Sequence, residues 1–252
     1  MLLAGFLTAC SASGTADRQI PPNASTKSIR ADEKKEEEKP AISPLQAEIL
    51  NEENSQTDSP IGSFDFKNST FPLPRGWEDI DSKEVTLENG VREMTEDKIG
   101  MAYVTTKYFD VTGDDKDEAF VILKVSTGSI TIPQIVYIYE WKDDGPNLLW
   151  YFRTGDRSDG GLKKLGSEDG KLLVELFGRD RYIFSQMETG KIVGDEERLC
   201  CPTHFTRTLY RREGTGFVLD GDRWTFSLED KEAEPEKNMN EVKLEEERGT
   251  KK

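Results

Sequence analysis

Between residues 64 and 228 the apolar side chains come in short β-branched and aromatic runs, each cut off by Asp, Gly or Pro. All four Trp residues (Trp77, Trp141, Trp150, Trp224) and nearly all other aromatics fall inside this span. Runs of this length, bounded by turn residues, read as strands rather than helices. Residues 101–109 alternate, with Ala102, Val104 and Thr106 set against Tyr103, Thr105 and Lys107. Residues 134–141 place Ile135, Tyr137, Tyr139 and Trp141 on one face and Val136 and Ile138 on the other. Further strands are expected at 119–125, 148–152, 171–177, 181–185, 203–211 and 217–219. Several are apolar on both faces, as in a sandwich, a barrel or a sheet covered on both sides. Asp143-Asp144-Gly145-Pro146, Glu168-Asp169-Gly170 and Glu213-Gly214 mark tight turns. The only helical candidate inside the span lies around residues 91–99. The expected fold is therefore mainly β: a single antiparallel β-rich domain over 63–228, as a sandwich, a barrel or a propeller-blade-like sheet.

The flanks are different. Residues 11–62 are polar, with Pro21-Pro22 and the charge block from Asp32 to Lys39. Such composition does not bury enough apolar surface to offset the entropy of ordering, so it reads as a disordered tether. About 50 residues of such chain reach roughly 40 Å, taking 5–6 Å times the square root of the length. Leu45, Ile49 and Leu50 have helical spacing inside it, which fits a helical turn or two, either transient in a linker or docked on the domain or on a partner. Residues 229–252 read as a charged disordered tail. The chain carries 49 acidic against 34 basic side chains, a net charge of -15. That balance argues against nucleic acid, which needs clustered Lys and Arg. It also argues against a basic patch on anionic lipid.

Leu7-Thr8-Ala9-Cys10 follows the short apolar run from Met1 to Leu7. It resembles the lipobox of bacterial lipoproteins. The resemblance implies that Cys10 becomes a lipid-bearing N-terminus and that the membrane is contacted through this lipid. The domain would then be extracytoplasmic in the cell envelope. Ser11 after the cysteine implies the outer membrane where the cell has two membranes. No Lys or Arg precedes Cys10, so the charged n-region of a secretory signal is not seen. The run is too short to span a bilayer, which needs about 20 apolar residues.

Oxygen-bearing side chains recur at Asp110, Thr112, Asp114 and Glu118, just before the apolar run 119–125. Alternate loop oxygens can wrap a hard cation such as Ca²⁺, which takes six to eight of them. The loop resembles that of FG-GAP and related calcium-loop repeats, which implies a calcium site at these four residues. Asp115 departs from the pattern, standing where such loops favour Gly. Val121 stands where a helix–loop–helix calcium site would need Glu. The plain structural alternative is a β-turn with solvated carboxylates.

Three other groupings carry possible chemistry. Residues 153–162 combine permissive glycines with Asp156, Arg157 and Asp159. They fit either a polar ligand loop for an anion, a sugar or a cation, or a loop whose charges satisfy one another. Cys200-Cys201-Pro202-Thr203-His204 holds the only histidine and, beyond Cys10, the only cysteines. Adjacent Cα atoms lie about 3.8 Å apart, short of the roughly 4.4–6.8 Å that disulfides prefer. The pair therefore reads as a structural vicinal disulfide or buried thiols, as a redox switch, or as thiolates that bind a soft metal with His204. The aromatics Tyr137, Tyr139, Trp141, Trp150, Tyr151 and Phe152 fit core packing better than a stacking surface. No Gly-x-Ser-x-Gly elbow is present, and a catalytic triad would depend on the lone His204.

These readings converge on an envelope-anchored lipoprotein whose domain is a non-catalytic binding or interaction module, supported by calcium if the Asp-rich loop binds it. Its partner would be an envelope protein or a polysaccharide. Two alternatives stay open: a redox or metal-handling protein using Cys200, Cys201 and His204, and a carboxylate-dependent hydrolase of cell-wall or polysaccharide material.

Overall fold

The computed structural model describes residues 47–74, 81–128, 134–155, 161–184, 191–193, 202–239 and 249. All of them belong to the compact unit Ile42–Lys252, while the unit Met1–Ala41 lies outside the described residues. The fold is mainly β and antiparallel.

Strands β1 (Thr70–Pro72) and β2 (Glu84–Thr86) pair with each other. A central sheet follows in chain order: β3 (Val91–Arg92), β4 (Gly100–Phe109), β5 (Glu118–Ser126), β6 (Gln134–Lys142) and β7 (Gly145–Thr154). The second large sheet opens with β8 (Leu162–Glu168) and β9 (Lys171–Phe177). A separate pair, β10 (Tyr182–Phe184) and β11 (Lys191–Val193), comes next. The second sheet then continues with β12 (His204–Glu213), β13 (Gly216–Leu219), β14 (Trp224–Ser227) and β15 (Glu236–Lys237). Its order is β15-β14-β12-β9-β8, with β13 also on β12. The turns are those the sequence marks: Asp143 and Asp144 have φ of 50° and 64°, and Asp169 and Gly170 have 53° and 67°. Two successive left-handed residues match the twist of a two-residue hairpin.

Period-two alternation explains the layers. Phe120 and Ile122 of β5, Val136 and Ile138 of β6, and Trp150 and Phe152 of β7 face the second sheet. There they meet Leu165 of β8, Leu172, Val174 and Leu176 of β9, Tyr210 of β12 and Phe217 of β13. The opposite parity, Ala119, Val121, Leu123, Ile135, Tyr137 and Tyr139, forms a second core. Ile61, Phe66, Phe71, Leu73, Val85 and Leu87 cover that core. The central sheet is thus buried on both faces, which is why β5 and β6 read as apolar throughout. The two faces expected for residues 134–141 are the two observed. Tyr137, Tyr139, Trp150 and Phe152 are buried, and Trp141 and Tyr151 pack on the same cores, so the aromatic set is core.

Four expectations need correction. Residues 47–62 are part of the domain, not tether. The short helix α1 (Ala47–Leu50) buries Ile49 in the sandwich core, and Ile61 is fully buried on the central sheet. Hydrogen bonds to the domain satisfy the polar residues between them: Thr57 donates to Asp117, and the Ser59 hydroxyl accepts from the Asp117 amide at 3.0 Å. We call residues 47–62 the strap. The tail is also folded at its start, since β15 pairs with β14 and the Asn238 amide donates to the Arg223 carbonyl at 3.0 Å. The region around 91–99 is not a helix: Val91 and Arg92 form β3, and Arg92 holds the chain by its ion pair with Asp81 and a bond to the Ile99 carbonyl. Finally, β4 does not alternate throughout. A bulge between Tyr103 and Thr105 reverses the parity, so Tyr103 and Thr106 share a face, joined hydroxyl to hydroxyl at 2.9 Å.

Candidate functional site

The Asp-rich loop between β4 and β5 closes on its own hydrogen bonds. Asp110 Oδ1 accepts from the amides of Thr112 (3.1 Å) and Gly113 (2.7 Å), and its Oδ2 accepts from Asp115 (3.0 Å). Glu118 Oε2 accepts from the Val111 amide at 3.0 Å, and its Oε1 accepts from the Thr112 hydroxyl at 3.2 Å. Asp114 accepts from the Lys116 amide. Asp115 has φ 62°, the left-handed conformation that the resemblance to calcium loops assigns to Gly. The structure therefore brings Asp110, Thr112, Asp114 and Glu118 into one loop. Among the described residues, however, no three His, Cys, Asp or Glu side chains are grouped to hold a metal ion. Glu118 is 2% exposed. Burial, reinforced by Asp114 and Asp110, pushes its carboxyl up to about 7, against the pull of the Val111 amide and the Thr112 hydroxyl. The loop also wedges against the β8–β9 turn: a Cβ on Gly170 would lie 3.6 Å from Gly113 Cα, and the Ser167 hydroxyl donates to the Asp110 carbonyl.

His204 opens β12. Its Nε2 lies 2.9 Å from Arg179 Nη2, and its Nδ1 lies 2.7 Å from the Thr203 hydroxyl. A guanidinium only donates, so the ring nitrogen facing it serves as an acceptor in that bond. Cys10, Asp156, Arg157, Asp159, Cys200 and Cys201 lie outside the described residues.

One pocket among the described residues was not singled out in the sequence. It has a volume of about 450 Å³ and lies at the seam of the sandwich, between β4 and β5 on one side, β8 on the other, and the strap across its mouth. Its floor is Phe109, Ile122, Leu165 and Ile49. The β4 bulge places Lys107 here: past it, Lys107 pairs with Phe120 and faces the sandwich side. Lys107 is 3% exposed. Its ammonium donates to the Asn51 carbonyl, to Asn51 Oδ1 at 3.0 Å and to the Glu53 carbonyl at 2.7 Å. Burial holds its pKa below the usual lysine value, partly offset by Glu53. A bulge in β8, between Leu162 and Lys164, leaves Lys163 out of register and pairs Lys164 with Glu175. Lys163 bonds Glu175 at 2.6 Å and Glu48 at 3.1 Å, while Lys164 lines the pocket. A lysine inside a strand was the available signal, but only the bulge decides which way it turns.

No protein family matches the chain, and comparison with curated proteins and with solved structures gave no match.

Proposed function

We propose that the chain is an envelope-anchored lipoprotein whose β domain binds a small ligand without chemical turnover. The observation that carries the binding reading is the seam pocket. It lies within the roughly 300–1,000 Å³ of small-molecule sites, and it gathers several polar side chains and a buried lysine of lowered pKa around Phe109 and Leu165. Residues from both sheets and from the strap meet there, so it is framed by the fold rather than by one loop. The anchor reading is supported by the Leu7-Thr8-Ala9-Cys10 motif and by the polar composition that separates it from residue 47. The lipid on Cys10 would hold the domain at the membrane, on the outer membrane where the cell has two. An envelope protein or polysaccharide then remains the partner class for its outer surface.

The test is native mass spectrometry of the protein purified from the membrane fraction of its host. The expected spectrum is the chain from Cys10 with its acyl groups, retaining a small molecule that is lost in Leu165→Trp, where the larger ring fills the pocket. An unlipidated chain overturns the anchor reading. Wild type and Leu165→Trp with identical ligand content overturn the pocket reading.

A further inference from the structure

The strap is held in two different ways along its length. Residues 57–63 form a turn that bonds to itself and to the domain. The Gly62 amide donates to the Ser59 carbonyl at 2.9 Å, and the Ser59 amide donates to the Thr57 hydroxyl at 3.0 Å. A Cβ on Gly62 would lie 2.8 Å from the Thr57 carbonyl oxygen, so the turn is closely packed. Ile61 seats it, fully buried, and Asp117 clamps it through Thr57 and Ser59. Residues 48–56, by contrast, contain one buried side chain, Ile49. Among the described residues, three groups join them to the rest of the domain by hydrogen bonds or ion pairs. The Lys107 ammonium donates to Asn51 and Glu53, the Tyr108 amide donates to the Asn54 carbonyl at 2.8 Å, and Glu48 pairs with Lys163.

Releasing residues 47–56 strands no charge. Lys163 keeps Glu175 at 2.6 Å when Glu48 leaves. Lys107 is buried because exposed strap residues lie over its ammonium, so water replaces its three acceptors as they depart. The heavy penalty for an unpaired buried cation is therefore avoided. A segment with few buried apolar contacts, whose polar contacts water can replace, opens at a fraction of the free energy of global unfolding. We propose that residues 47–56 are a hinged flap, which opens as a unit at Gln56 and Thr57 while the 57–63 turn and both large sheets stay folded. Opening frees the β4 edge at Tyr108 and uncovers the strap side of the seam pocket. This conformational step goes beyond the reading of the pocket as a binding site and does not depend on it.

The test is native-state hydrogen exchange of the full chain, read at the Tyr108 amide, whose acceptor lies on the flap. The reference is β5, an inner strand with neighbours on both sides. After correction for intrinsic rates, Tyr108 is expected to exchange at least about a hundredfold faster than the slowest β5 amides, and with little dependence on urea. Substitutions then separate contacts broken by opening from contacts kept. Lys107→Met removes the donors that hold the flap and should speed Tyr108 at least about tenfold. Ile61→Val weakens a contact that the open state retains, so it should speed the β5 amides and leave Tyr108 unchanged. Exchange of Tyr108 at the β5 rate with the same urea dependence means that only global unfolding exposes it, and overturns the proposal without any variant. An unchanged Tyr108 in Lys107→Met, or equal acceleration of Tyr108 and β5 in Ile61→Val, overturns it as well.

Discussion

Single residues carry the clearest electrostatic consequences. Glu118 is buried beside Asp110 and Asp114, and its carboxyl is raised from the ordinary 4.5 to about 7. Below pH 4.5 the group is protonated in both the folded and unfolded chain. Between 4.5 and 7 the unfolded chain loses this proton first, so folding is progressively disfavoured as pH rises. Above 7 the loss is complete, at about 3 kcal/mol for a shift of this size, taking 1.36 kcal/mol per unit. Glu118→Gln keeps an acceptor for the Val111 amide and removes the ionisation. Urea unfolding across pH 4–8 should therefore show the variant gaining on the wild type from 4.5 to 7 and holding its gain above. A difference that does not change with pH would contradict this account of the loop. The loop conformation was partly legible in the sequence. Asp115 was marked as standing where Gly is favoured, and its φ of 62° agrees. What the sequence did not display is that the carboxylates accept hydrogen bonds from their own backbone, because alternate oxygens serve an Asx-type turn as well as a cation.

At the scale of elements, strands were legible and the strap was not. Short apolar runs bounded by turn residues located β5, β6 and β9, because each strand displays its burial in its own residues. The strap contributes few apolar groups, and the polar contacts that tie it to the domain are made with partners distant in sequence: Thr57 with Asp117, and the Asn51 carbonyl with Lys107. Composition averaged over residues 11–62 conceals Ile49 and Ile61 for the same reason. The β4 bulge was hidden too, since strict alternation predicts Lys107 on the face of Tyr103 and the structure puts it on the other. A chain beginning at Ser63, the boundary that composition suggests, should therefore be damaged. Burying Ile49 and Ile61 is worth on the order of 3–6 kcal/mol at about 1.5–3 kcal/mol each. That is a large part of the 5–15 kcal/mol typical of a domain. Its urea midpoint should fall well below that of a chain beginning at Ala47, and equal midpoints would return residues 47–62 to the tether.

For the whole molecule, the layered arrangement makes the pocket a meeting point. The central sheet supplies Lys107, Phe109 and Ile122, the second sheet supplies Lys164 and Leu165, and the strap closes the mouth with Asn51 and Glu53. No single segment carries a motif for it, which is why the sequence pointed to the Asp-rich loop, the glycine loop around Arg157 and the cysteine pair instead. The central claim, a ligand held between two sheets beneath the strap, is tested most directly by comparing backbone amide shifts of the chain carrying its co-purified small molecule with those of the same chain refolded without it. The account predicts differences that occur together at residues 48–54, at Lys107 and Phe109, and at Lys164 and Leu165, with the Asp110–Glu118 loop and β14 little changed. Shifts confined to one sheet or to the outer surface, or no shifts at all, would contradict it.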